Sequence, residues 1–192
     1  MIARFRTGGV GLSTGIAGSH AVAAPATYHR AMSDTFIERL DATGIEYDII
    51  PCDPELADTA AFCEHYGYAL DDSANTIVVM GKADPPAFAA CVVLATTRLD
   101  VNKAVRKRLG TRKASFASAD QTREMTGMAI GGVTPIGLPE GLPLWVDARV
   151  MERERIILGG GSRDRKVHAP PSILVALGAE AVEDLAQEVP DA

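Results

Sequence analysis

The chain is poor in aromatic residues: Phe, Trp and Tyr make up 5% of it, with one Trp. A core must therefore come mostly from Ala, Val, Leu and Ile. Cysteine is also scarce. Cys52, Cys63 and Cys91 are odd in number and show no CxxC spacing, which argues against a disulfide scaffold and against a thiolate zinc site. Cys63 and His65 lie two apart on a predicted helix and face different ways. The expectation is reduced thiols, no metal and no cofactor. No run approaches the ~20 apolar residues of a membrane helix. Neither phosphate-cradling glycine motif occurs, and residues 33–188 contain no nucleophile elbow. Positive charge is in deficit. The net charge of −6 does not steer the molecule to a polyanion, so a nucleic-acid contact needs a local basic patch.

What is present suits one domain of ordinary globular composition, 47% hydrophobic and 23% charged. Arg4 and Arg6 precede a small-residue run, Gly8 to Ala26, which ends in AVAAPA. This faintly resembles a secretory leader with an A-x-A site, but the run is rich in Gly and Ser and lacks a compact Leu-rich segment. Residues 1–31 are expected to be a disordered extension or a start placed too early. Periodicity begins at Ser33, and the domain is expected over 33–188, in the cytoplasm.

Ser33 caps a predicted helix through Phe36, Ile37 and Leu40, which stops at Gly44. Ile45 to Ile50 reads as a strand ended by Pro51. Asp53 and Pro54 open a second helix that carries Leu56, Ala60 and Cys63 and closes at Gly67. Two apolar runs, Thr76 to Met80 and Ala87 to Ala95, flank a Gly81–Pro86 turn and predict a buried hairpin. Asp100 caps a helix from Val101 to Leu109. A strand over Lys113–Phe116 and a Ser118-capped helix, Ala119 to Thr126, follow. Leu144 to Val146 and Arg155 to Leu158 read as strands. Pro170 and Pro171 lead into a helix with Ile173, Leu174 and Leu177, a further helix is expected near Glu180, and Gln187 to Ala192 reads as a tail. Strands and helices are mixed rather than alternating. The expected fold class is mixed α/β: one compact domain, with a mostly antiparallel mixed sheet surrounded by helices.

Three stretches could carry chemistry. Gly127–Pro139 reads GMAIGGVTPIGLP. Gly131 and Gly132 permit positive φ and close backbone approach, and Pro135 fixes the far side of the loop. Successive N–H groups there could form a nest for an oxyanion, or the loop could merely cross a sheet end. Leu158–His168 reads LGGGSRDRKVH. Its three glycines could cradle an anion, mark a mobile flap or form a plain hairpin tip. Ser162 follows them without the frame of a nucleophile elbow, and His168 reads as a strand-end surface residue. The third stretch is basic: Lys103, Arg106, Lys107, Arg108, Arg112 and Lys113. Lys103, Arg106 and Lys107 share a helix face, which is either a solvated surface or a contact for RNA backbone.

In order and content these parts resemble the YbaK/prolyl-tRNA synthetase-associated family, over roughly Ser33 to Ala186. The resemblance rests on the hairpin Ala74–Ala95, the helix LDVNKAVRKRLG, the segment ASFASADQTREMTGMAIGGVTPIGLP and the segment VMERERIILGGGSRDRKVHAPP. The family's GxxxP loop is present as Gly131 to Pro135. The resemblance implies a free-standing deacylase that hydrolyses the ester of mischarged aminoacyl-tRNA. Water attacks with help from the ribose 2′-hydroxyl, and no protein nucleophile is used. It implies a substrate site at Asn75, Gly131, Gly132, Val133, Thr134, Pro135, Gly160, Gly161 and Ser162, and RNA contacts at Lys103, Lys107 and Arg112. The implied partners are the acceptor end of aminoacyl-tRNA and an aminoacyl-tRNA synthetase, with no membrane and no DNA. One departure is visible. Family members carry a lysine in the first hairpin strand, whereas this strand reads Ala74-Asn75-Thr76-Ile77-Val78-Val79-Met80, and the nearest lysine is Lys82, past its end. A binding module that kept the pocket without catalysis, and a hydrolase of another small acyl ester, remain the alternatives.

Overall fold

The structure is a computed structural model, and it describes residues 3–5 and 34–189. Of the segment 1–31, only β1 (Ala3–Phe5) is described, as a strand beside β2; the rest of that segment lies outside the described residues. Then come α1 (Asp34–Ala42), β2 (Tyr47–Pro51), α2 (Thr59–Tyr66), β3 (Ala74–Gly81), β4 (Ala87–Leu94) and β5 (Thr97–Leu99). The basic helix α3 spans residues 101–108: a π-helical stretch, Val101–Val105, runs into one α-turn, Arg106–Arg108. The chain continues through β6 (Ala114–Phe116), α4 (Ala119–Thr126), β7 (Leu144–Asp147), α5 (Ala148–Met151), β8 (Ile156–Gly159), β9 (Arg165–Ala169), α6 (Ser172–Ala176), β10 (Glu180–Val182) and β11 (Ala186–Glu188).

The strands form a five-stranded sheet in the order β10-β7-β4-β3-β6, a four-stranded sheet β1-β2-β9-β8 and a small β11-β5 pair. Most pairs are antiparallel, but β4–β7 and β7–β10 run parallel. A single parallel bridge, Ser73 to Ile157, joins the two larger sheets just before β3 begins. The mixed α/β class and the mostly antiparallel sheet follow the expectation.

β4 explains why its sequence is an unbroken apolar run. Ala90, Val92 and Leu94 pack into the main core with Leu40, Ile49, Ile136, Ile156, Leu158 and Ile173. Ala89, Cys91 and Val93 point the other way, onto Val101, Val105, Trp145 and Leu185. Both faces are covered, so no polar alternation is required. α4 starts where its sequence predicts: Ser118 accepts from the Gln121 N–H and Gln121 returns the bond, a capping box, and Gly127 closes the helix at φ 74°.

Three expected elements differ. The second helix starts later, because Pro54–Leu56 forms a separate 3-10 turn capped by Asp53, and the α-helix begins at Thr59. The stretch near Glu180 is a strand, not a helix: Glu180–Val182 pairs in parallel with Trp145–Asp147. The tail from Gln187 is partly structured, since β11 pairs with Thr97–Leu99. Buried Asp147 holds this end by accepting from the Ala186 N–H (2.8 Å) and from Arg149 (2.8 Å).

Candidate functional site

A pocket of about 400 Å³ opens at the seam between the two larger sheets. That volume falls in the usual range for small-ligand sites, ~300–1,000 Å³. One wall is the exposed edge of β3, residues 74–78. The others are Ala57, Asp58 and Thr59 at the entry of α2, Phe116 and Ala117 after β6, Thr122 of α4, Ile130, Gly131 and Val133 of the glycine loop, Gly159 of β8 and Lys166 of β9.

The register of β3 makes this edge available. Its odd-numbered residues bond to β4, as the Ala95 N–H to Ser73 carbonyl bond shows at the start of the hairpin. Even-numbered residues turn their backbone groups outward. The Ala117 N–H takes the Val78 carbonyl at 2.9 Å, and β6 pairs only from Val79 onward. The Thr76 backbone is therefore left on the open edge facing the pocket. The Thr76 side chain is also buried, at 9% exposure, and its hydroxyl has no hydrogen-bond partner among the described residues. A buried hydroxyl left without a partner costs about 1–3 kcal/mol.

Lys166 is the other unusual group. It is 6% exposed. In β9, Val167 points into the main core, so Lys166 faces the opposite side, which α2 covers through Phe62. Its Nζ donates to the Ala57 carbonyl at 2.6 Å and to the Gly131 carbonyl at 3.2 Å. Burial lowers the pKa of this amine, while Cys52 acts to raise it. Among the described residues, Lys166 and Asp58 are the only ionisable ones that line the pocket. Asp58 is solvated at the mouth and meets Arg163 at 3.3 Å. Among the described residues no Ser, Cys or His lines the pocket. Its hydroxyls belong to Thr59, Thr76 and Thr122, and Thr59 donates to Asn75 Oδ1 at 2.7 Å. The pocket thus offers donors and a cation but no nucleophile paired with a base.

The expected site residues divide into two groups. Asn75, Gly131 and Val133 line the pocket. Gly132, Thr134, Pro135, Gly160, Gly161 and Ser162 stand outside its lining. Thr134 is wholly buried, and Pro135 borders a second cavity with Arg39 and Leu142. Gly131 has the positive φ anticipated for it, 89°; Gly132 does not lie in that region. Gly132 is small for another reason. A Cβ there would lie 2.6–2.9 Å from the Ser162 backbone, and one on Gly159 would collide with the Val133 carbonyl. The Gly161 N–H donates to the Gly132 carbonyl at 2.8 Å, and the Gly132 N–H is taken by Ala129 at 3.0 Å. The two glycine-rich stretches therefore pack backbone on backbone, and their glycines serve this approach first. Ser162 donates to Asp164, and Gly160 sits against Arg165.

Lys103, Lys107 and Arg112 are exposed and away from the pocket. α3 lies on the sheet face that carries Val79 and Cys91, whereas Val78 packs with Met128 and Val133 on the pocket side. His168, read as a surface residue, is half-buried, with Nδ1 3.7 Å from the buried Asp48 that Arg155 meets at 2.9 Å.

The family model for the aminoacyl-tRNA editing domain matches residues 53–177. The chain belongs to the aminoacyl-tRNA editing domain family. The matched segment of this editing domain runs from the entry of α2 to the end of α6 and contains every residue that lines the pocket. The chain is also 26% identical over 129 residues to the uncharacterised protein YwhH of Bacillus subtilis (strain 168), covering 67% of this chain and 80% of that one. Two solved structures share the fold. One, described as a candidate trans-editing enzyme for prolyl-tRNA synthetase, has a TM-score of 0.68 and 22% identity, covering 83% of this chain and all (100%) of that one. The other, the hypothetical protein APE2540, has a TM-score of 0.72 and 23% identity, covering 80% and 100%. Among the described residues no helix is long and apolar enough to cross a membrane.

Proposed function

We propose that this protein is a free-standing aminoacyl-tRNA deacylase, acting in the cytoplasm on mischarged tRNA beside an aminoacyl-tRNA synthetase. The observation that carries this reading is the pocket. It lies wholly inside the editing-domain segment and is walled by the glycine loop and an open strand edge that offers unspent hydrogen-bonding groups. The aminoacyl group enters between the β3 edge and Gly131–Val133, and the terminal ribose stays at the mouth near Asp58 and Phe116. Among the described residues the lining lacks a nucleophile with a base, which favours attack by water assisted by the ribose 2′-hydroxyl over a covalent acyl-enzyme. Editing of this kind answers a physical limit: a synthetase pocket rejects a smaller side chain by only about 1–3 kcal/mol per methylene. Asn75, in place of a strand lysine, supports a second reading, a pocket that binds the aminoacyl group without hydrolysing it.

Hydrolysis of one mischarged tRNA, prepared with an ordinary terminal adenosine and with a 2′-deoxyadenosine, tests both parts. The ordinary substrate should be deacylated well above the buffer rate and the deoxy substrate at least about 100-fold more slowly, a loss of ~2.7 kcal/mol of transition-state stabilisation. Equal rates would remove the 2′-hydroxyl from the mechanism. No release from either would favour the binding module.

A further inference from the structure

Two side chains in this pocket have hydrogen-bonding capacity that the protein leaves unspent. An ammonium carries three donors. Lys166 commits two, to the carbonyls of Ala57 and Gly131. Both of those residues line the pocket, so Nζ lies at its wall. Lys166 makes no ion pair among the described residues, although it is only 6% exposed. Buried cations are normally paired, because desolvation without a partner is costly. The Thr76 hydroxyl is the second such group, nine-tenths buried on the same pocket and without a partner among the described residues. These two observations are independent, since β3 supplies one and β9 the other.

We propose, on the reading that this pocket hydrolyses an aminoacyl ester, that Lys166 is a catalytic residue that donates its third N–H to the carbonyl oxygen of the ester, while the Thr76 hydroxyl orients the bound acyl group. Lys166 is the only cation in the pocket wall among the described residues, and it stands one hydrogen bond from the glycine loop. The amide of Gly132, which the loop could have offered to an oxyanion, is spent on Ala129. In the reaction, a water oxygen bonds to the ester carbon as the carbonyl π pair moves onto its oxygen. Lys166 faces that new negative charge. The adduct then re-forms the C=O and breaks the bond to the ribose oxygen, which leaves with the proton the water gives up. Lys166 stays protonated throughout, and a fixed positive charge aimed at a developing oxyanion stabilises it without reorganisation at the moment of reaction.

The role requires the charged amine. Groups that face it are Cys52 at the end of β2, Cys63 of α2, Asp58 before α2 and Arg163 in the β8–β9 turn. Burial, the largest influence, lowers the pKa, so the contribution is full at low pH and is lost as pH rises through a value below the ordinary lysine range.

The test measures kcat, KM and melting temperature for the full-length wild type, Lys166→Met and Thr76→Val. The substrate is the mischarged tRNA that the wild type hydrolyses fastest, corrected for enzyme-free hydrolysis across the pH range in which an amine titrates. Lys166→Met should lower kcat by about 10²–10³ and abolish the alkaline limb of the wild-type profile, with KM changed by less than threefold, ~0.65 kcal/mol. Thr76→Val should raise KM while leaving the melting temperature unchanged or higher, because it deletes an orphan hydroxyl. A kcat within threefold of wild type in a folded Lys166→Met protein, or a loss of activity that keeps the alkaline limb, would make Lys166 a structural tie and overturn the proposal. If Lys166→Met does not fold, unchanged KM in Thr76→Val overturns it instead. If the wild type itself releases no amino acid, the deacylase reading fails, and this proposal with it.

Discussion

Gly132→Ala is the substitution whose consequence follows most directly from the packing of the two glycine stretches. The new Cβ would stand 2.6 Å from the Ser162 carbonyl carbon, 2.7 Å from its oxygen and 2.9 Å from its Cα, all backbone atoms with no rotamer to change. Carbon atoms settle at about 3.5–4.0 Å, so the loops must part by roughly 1 Å. Overpacking of this kind costs about 1–3 kcal/mol, which lowers the melting temperature of a domain this size by roughly 2–12 °C. Gly131 and Val133 flank the site of strain and line the pocket, so the wall moves with the loop. A displacement near ~1 Å can cost about 100-fold in rate. Gly110→Ala is the control: at φ 65° with nothing within 4 Å of its Cβ, it bears only backbone strain. That strain is worth about 1–2 kcal/mol and is remote from the pocket. Thermal melts and kcat/KM for both variants decide the matter. If Gly132→Ala keeps wild-type kcat/KM, or if Gly110→Ala loses as much activity, loop-on-loop packing does not set the pocket geometry.

Two further outcomes are expected. Burial pushes the Cys91 thiol up to about 12 from 9.0, so native protein should resist thiol alkylation at this position until it unfolds; the raised value also means stability is full below the unfolded pKa and is lost as pH climbs from about 9 toward about 12. Mass spectrometry of alkylated native protein and alkaline melts check this, and rapid native labelling of Cys91 would contradict the packing of β4 against α3. Lys103→Ala combined with Lys107→Ala should leave hydrolysis of a small aminoacyl ester unchanged, because both side chains lie off the pocket. If α3 touches the tRNA body, the same pair reduces the salt slope of tRNA binding by about 2; an unchanged slope in a binding titration makes α3 a plain solvated face.

Much of the fold was legible where the chemistry is local. The hairpin was readable because β4 is apolar on both faces, and α4 because Ser118, Gln121 and Gly127 form a cap at each end. β10 and β11 were not, since each has three residues, two of them exposed, and is held by a parallel or distant partner rather than by its own pattern. At the site, both glycine stretches stood out, but their mutual packing is a tertiary fact: Gly132 and Gly159 are small because each abuts the backbone of the other stretch. Lys166 was hidden in plain view. In Arg165-Lys166-Val167-His168 the charges suggest a solvated face, and only α2, laid across that face with Phe62, buries the amine. The one available signal was the alternation about Val167, which fixes that Lys166 and His168 share a side without saying what covers it.

The central claim, that this pocket hydrolyses misplaced aminoacyl esters, is tested most directly by amino-acid release from a panel of tRNAs, each charged once with its own amino acid and once with a smaller or isosteric one. The account predicts release at least about tenfold faster than in buffer for one or more mischarged species, and at least about tenfold faster than for the correctly charged form of the same tRNA, a discrimination of ~1.4 kcal/mol. Release at the buffer rate for every member of the panel, or equal release from correct and incorrect species, would contradict it.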